Sequence, residues 1–242
     1  MADSGDKRWK SGSAQVAEAI GRAIVHDIYS VGEKLPLEAE LAHQYNASRN
    51  TLREAMRLLA AKNLVEIAPR RGTVVRQRSA WNVLDRDVLE WSADQLLDDP
   101  TFMDEFVRMR FVIEPAAAQE AARNATDAEI ETIRTAYETI ERLVDHQDLP
   151  ECLEADLAFH IAVADATGNR FLKSVAHSIT YAMRLNFQRL FEAPHNLRDN
   201  LENHRLVMEA IANRDPQAAH TAALELLSQA HAATRNLFDG PP

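Results

Sequence analysis

Apolar residues recur at helical spacing along most of the chain. Over residues 14–28, Val16, Ile20, Ala23, Ile24 and Ile28 fall on one face, which predicts an amphipathic helix. The turn YSVGEKLP follows, with Gly32 and Pro36, and then a short helix over 37–45 whose Leu37, Leu41, Ala42 and Tyr45 are apolar. Asn46 and Ala47 break the pattern. Ser48 is a helix N-cap by type and position, and Leu52, Ala55, Met56 and Leu59 form the stripe of the helix it opens. The period then turns extended in LVEIAPRRGTVVRQR, two short strands around Pro69, Arg70, Arg71 and Gly72. Two short helices joined by a tight turn, then a β-hairpin, predict a winged helix-turn-helix over residues 14–78. Residues 1–13 are polar and charged and read as a disordered start.

From residue 79 to 242 the pattern is helical throughout, with no convincing strand. Segments near 83–97, 101–123, 126–146, 150–167, 169–190, 196–213 and 215–236 are separated by breaks at Asp98-Asp99-Pro100, Asn124, Pro150, Gly168-Asn169, Pro194 and Asp215-Pro216. Thr126 with Glu129 three residues on has the form of a capping box. No constant repeat period is present, so an antiparallel helical bundle fits better than a solenoid. The fold class is therefore mainly α, a winged reader followed by a helical domain.

Charge divides the chain the same way. Residues 1–78 hold 13 Lys and Arg against 9 Asp and Glu, a balance of +4, and residues 79–242 hold 14 against 28, a balance of -14. A basic module carried by an acidic one suits a DNA reader coupled to a sensor. A purely architectural nucleic-acid protein would be basic throughout. The single cysteine, Cys152, cannot form an internal disulfide, and no apolar run approaches the roughly 18 residues that span a membrane; a cytoplasmic protein is expected.

At the front of the helix capped by Ser48 stand Arg49, Asn50, Thr51 and Arg53. The first residues of a recognition helix meet base edges in the major groove, where Arg suits guanine and Asn adenine. Arg70 and Arg71 at the hairpin tip suit phosphates or the minor groove. The stretch GEKLPLEAELAHQYNASRNTLREAMRLLAAKNLVEIAPRRGTVV resembles the winged helix-turn-helix of GntR-type bacterial transcription regulators. That resemblance implies operator DNA as partner and Arg49, Asn50, Thr51, Arg53 and Gly72 at DNA-contacting positions. Ala39 stands where many members have Arg, so their operator sequences do not transfer.

In the acidic part, Asp156 and His160 lie one helical turn apart on one face. On spacing alone, a structural pair explains them as well as a ligand set does. His204 begins a segment whose Leu206, Val207, Ala210 and Ile211 should face inward, so the three groups can converge in a bundle interior. Arg110 and Glu114 are also one turn apart; they read either as a surface ion pair or as an anchor in which Glu114 turns Arg110 toward an effector carboxylate. Thr180, Tyr181, Arg184 and Asn186 are further candidate lining groups. The motifs RFVIEP (110–115), ADLAFH (155–160) and ENHRLVMEAI (202–211) resemble the FadR-type sensor domain called FCD, over about residues 81–236. WNVLDRDVLEW is similar to the sugar-acid subgroup. The resemblance implies a ligand-responsive repressor that acts as a homodimer and is released by a small carboxylate, a galactonate-like sugar acid, bound near Arg110, Asp156, His160 and His204. It also implies a divalent metal such as zinc on Asp156, His160 and His204. The family's fourth ligand, a second late histidine, falls on Leu226, which cannot ligate; His220 and His231 lie off that position. The alternative is a metal-dependent hydrolase with a helical core, resting on the same Asp/His set. HExxH, a Gly-rich phosphate loop and GxSxG are all missing from the sequence, so no enzyme is expected.

Overall fold

The structure is a computed structural model and describes residues 12–68, 72–96, 100–144, 149–190 and 195–239. Its helices are α1 Gly12–Val25, α2 Glu38–Gln44, α3 Arg49–Ala61, α4 Arg86–Leu96, α5 Pro100–Asn124, α6 Asp127–Leu143, α7 Leu149–Asp165, α8 Arg170–Leu190, α9 His195–Ala212 and α10 Pro216–Asp239. Strands β1 Val65–Ala68 and β2 Gly72–Val75 pair antiparallel, Val65 opposite Val75 and Ala68 opposite Gly72. The contacts divide the chain into two compact units between Leu96 and Leu97.

In the N-terminal unit, α1 packs on α3 and α4 around the fully buried Ile20, Ile24, Leu52, Leu59 and Leu64. The stripe expected on α3, Leu52, Ala55, Met56 and Leu59, is its buried face. Ser48 caps this helix as expected, its Oγ accepting the Thr51 backbone N–H at 3.1 Å. Two expectations for α1 fail. The helix ends at Val25 because Asp27 turns left-handed, with φ 57°, so Ile28 leaves the apolar stripe and is 71% exposed, and Tyr29 is buried in its place. At the other end, Gly12 and Ser13 belong to the helix rather than to a disordered start; Gly12 lies close to Thr51.

The wing has a third backbone partner. Leu35 donates to the Thr73 carbonyl and Val75 donates to the Glu33 carbonyl, both at 2.9 Å, so GEKLP runs along β2. Gly72 is needed at the corner: its φ is +87°, and a Cβ there would sit 2.5 Å from Cε of Lys34. The unit also runs past the boundary expected at residue 78. Trp81, Val88 and Trp91 enter the reader's core, which places α4 with the reader rather than with the helical domain.

In the C-terminal unit, α5 packs along α10, α10 on α9, α6 on α7 and α7 on α8. Ala121, Ile133, Ile140, Phe159, Ile211 and Ala219 are at its centre. The capping box is formed: the Thr126 side chain accepts the Glu129 N–H, and the Glu129 carboxylate accepts the Thr126 N–H at 2.7 Å. Gly168 makes the left-handed turn between α7 and α8, with φ 66°. Helix α5 is only partly enclosed, since Val112 is 70% exposed.

Candidate functional site

Two groups of residues carry the chemistry. The first lies on the reader. Arg49, Asn50 and Arg53 are exposed at the start of α3, with Thr51 half-buried among them. Thr51 Oγ1 meets Ser48 Oγ at 2.8 Å, and Arg53 is paired with Glu38 on α2 at 3.2 Å with both side chains more than half exposed. The helix thus presents a cationic, amide-bearing N-terminal turn to solvent, and its positive dipole end adds to the attraction for phosphate. Gly72 is at the wing corner. Arg70 and Arg71 lie outside the described residues.

The second group lies inside the C-terminal unit. Helix α7 carries Asp156 and His160 and α9 carries His204; one ligand atom from each falls within 4.8 Å of the others. Asp156 and His204 are almost fully buried, and the His160 side chain is 12% exposed. His204 Nδ1 lies 3.0 Å from the Asn200 carbonyl. A carbonyl only accepts, so Nδ1 donates, and Nε2 is turned to Asp156 Oδ1 at 2.9 Å. Neither His204 Nε2 nor Asp156 Oδ2 has a hydrogen-bond partner among the described residues. His160 repeats the arrangement: Nδ1 is 3.1 Å from Glu114 Oε2 and Nε2 is 3.7 Å from Asp156 Oδ2. Phe159 packs edge-on against both imidazole rings.

Electrostatics hold these groups in a mixed-charge state. Burial alone would raise the Asp156 carboxyl, but His160, His204 and Arg110 together outweigh it and keep it below its usual range. Burial likewise opposes ionisation of Glu114, and Arg110 and His160 overcome it. Burial would lower His160, and the Glu114 and Asp156 carboxylates push it above its usual value instead.

The arrangement fits a divalent cation. Both histidines spend their Nδ1–H on outer acceptors, the Asn200 carbonyl and the Glu114 carboxylate, and aim Nε2 at one carboxylate, as ligating histidines do. Two buried polar atoms of the cluster, Asp156 Oδ2 and His204 Nε2, have no hydrogen-bond partner among the described residues, a need that a cation would meet. Leu226 is buried and supplies no side-chain ligand, but its carbonyl accepts Asn200 Nδ2 at 3.1 Å, and Asn200 Oδ1 accepts from Asn203 at 2.8 Å. Asn200 is therefore the residue that fixes His204, and nothing in the spacing pointed to it. His220 is not part of the cluster, and the side chains of Asn186 and His231 lie outside the described residues.

Arg110 and Glu114 exchange the places expected of them. Arg110 is 8% exposed and binds Glu114 through Nε and Nη2. Glu114, not Arg110, lines a small cavity together with His160, Phe159, Val163, Thr180 and Met183. The Thr180 hydroxyl donates to the Ala176 carbonyl at 2.8 Å. Arg184 is exposed and paired with Glu154.

Residues 13–75 match the bacterial regulatory proteins of the gntR family, and residues 105–229 match the FCD domain. The galactonate operon transcriptional repressor of Escherichia coli K12 is 34% identical over 224 residues, 92% of this chain and 95% of that protein. This chain belongs to the GntR family. It is a FadR-like member, a DNA-binding transcription regulator with an FCD sensor domain. The putative L-lactate dehydrogenase operon regulatory protein of Escherichia coli K12 is 29% identical over 94% of this chain and 87% of its own length. Among solved structures, a Streptococcus agalactiae GntR covers 91% of this chain and 99% of its own at a TM-score of 0.51 and 28% identity. These GntR relatives lend no support to the hydrolase alternative. Among the described residues no helix is long and apolar enough to cross a membrane.

Proposed function

We propose that this GntR-family regulator is a cytoplasmic, homodimeric repressor that leaves its operator when a small carboxylate binds the FCD domain. Arg49, Asn50, Thr51 and Arg53 read the major groove, and Arg70, Arg71 and Gly72 follow the backbone or minor groove. Asp156, His160 and His204 hold a divalent metal such as zinc, and Glu114, with Arg110 behind it, orients His160. A metal there supplies open coordination positions for a carboxylate oxygen. The observation that carries the reading is the buried Asp156 carboxylate faced by two imidazole nitrogens, with Oδ2 and His204 Nε2 unpartnered. The galactonate operon repressor supports a sugar acid as effector. Release requires that the effector bind the two reader orientations unequally.

Thermal melting against a panel of sugar acids and simpler carboxylates, before and after chelation, tests this. A ligand at 100 times its dissociation constant stabilises the folded state by about 2.7 kcal/mol. The expected result is an upward shift for galactonate or a close analogue that chelation removes. A flat response to zinc itself would take the metal out of the reading.

A further inference from the structure

Gly21 lies inside α1, where glycine is a poor helix former. The reason is on the neighbouring helix. A Cβ at Gly21 would meet the Trp91 ring at 2.2–2.3 Å, so the indole of α4 rests directly on the α1 backbone. Trp91 is 2% exposed, and its indole N–H has no hydrogen-bond partner among the described residues. The ring is there for its packing.

Lys62 reaches the same place from the other side. It is the C-cap of α3, the helix that reads DNA. Its Nζ lies 2.7 Å from Asp85 and 2.8 Å from Asp87, and 5.7 Å over the Trp91 ring. The Lys62 carbonyl accepts the Asn82 N–H at 3.1 Å. Asp85 also caps α4, its Oδ1 accepting the backbone N–H of Asp87 at 3.0 Å. One ammonium thus joins the end of α3 to the start of α4, and one indole joins α4 to α1.

We infer that the Lys62 clasp and the Trp91–Gly21 contact weld α4 to the reader, so that the rigid DNA-reading body ends at Leu96 and Lys62 is a positioning residue for the recognition helix. A two-site operator is then sensitive to the weld and a single half-site is not. The second site is bound at an effective concentration set by how stiffly each reader is held. A loose α4 lowers that concentration while leaving each reader's own surface intact. The inference rests on the proposal that two readers act on two half-sites.

The test uses the full chain and two duplexes, one selected by the wild-type protein from a randomised pool and the same duplex with one half scrambled. Lys62→Met and Gly21→Ala are expected to weaken binding to the intact duplex by about tenfold and to leave the scrambled duplex within about twofold. Lys62→Arg, which keeps a cation between the two carboxylates, should behave as wild type. Gly21→Ala combined with Trp91→Leu should recover affinity, because the smaller side chain vacates the space. Gly21→Ala raises the helix propensity of α1, so its loss would not come from a melted helix, and it stands in if Lys62→Met fails to fold. Equal losses on both duplexes, or none on either, overturn the inference. A wild-type protein with no preference for the intact duplex overturns the two-reader proposal itself, and the inference with it.

Discussion

Each unit buries a charge between two groups of the opposite or a complementary kind, and the two arrangements differ in how they end. Lys62 sits between Asp85 and Asp87 with both carboxylates in contact. Asp156 sits between His160 and His204, and one of its oxygens is left without a partner. In the reader the ammonium has a carboxylate on either side and Asp85 also caps α4, which is what holding a structure requires. In the FCD domain both imidazoles turn Nδ1 to outer acceptors and Nε2 toward the Asp156 carboxylate, an arrangement that suits a cation. A closed charge cluster positions helices; an open one is suited to bind.

The sharpest way to break this contrast is Asp85→Ala. It removes one carboxylate from Lys62 and the cap of α4 together, and should destabilise the N-terminal unit by about 1–3 kcal/mol, with no added metal restoring it. Urea unfolding with and without zinc measures both halves of that statement. Asp156→Asn should destabilise the ion-free FCD domain, because it removes the carboxylate that His160, His204 and Arg110 hold ionised, and it should also lose any stabilisation by zinc.

The pH dependence of the wild type gives the same contrast. His160 is raised above its unfolded value, so its contribution is complete below about pH 6.5 and is lost as pH rises through the folded value. Without metal, melting of the FCD domain should therefore fall with rising pH across and above neutrality. With metal the trend should reverse, because the ligands must be deprotonated. A loss of at most about 0.5 kcal/mol is expected for Glu38→Gln, since the pair with Arg53 is exposed. That variant should bind operator as well as or better than wild type, because Arg53 is released toward the DNA.

Much of this was legible in the residues. Ser48, the α3 stripe and the Thr126–Glu129 box are local signals, and local signals survive into the structure. Asp156, His160 and His204 were found because two lie one turn apart and the third opens an apolar face. What was missed is non-local. Ile28 kept helical spacing, but Asp27 turns left-handed and ends α1 early. Asn200 acts through a carbonyl, which every residue has. Glu114 rather than Arg110 faces the cavity, since a one-turn pair does not say which member points inward. The boundary at residue 78 followed the end of the wing motif, while the core follows the tryptophans. The one sequence clue to that packing, a glycine inside α1, gains its meaning only when Trp91 is seen above it.

Position 226 has a further consequence. Its main chain steadies Asn200 and so His204, whatever side chain it bears, because the contact is made by the carbonyl. The side chain itself is a buried part of the core, so a change there alters packing while leaving that hydrogen bond in place. On the proposal that Asp156, His160 and His204 hold a metal, a histidine at position 226 would offer a fourth protein ligand without disturbing the hydrogen bond that reaches Asn200.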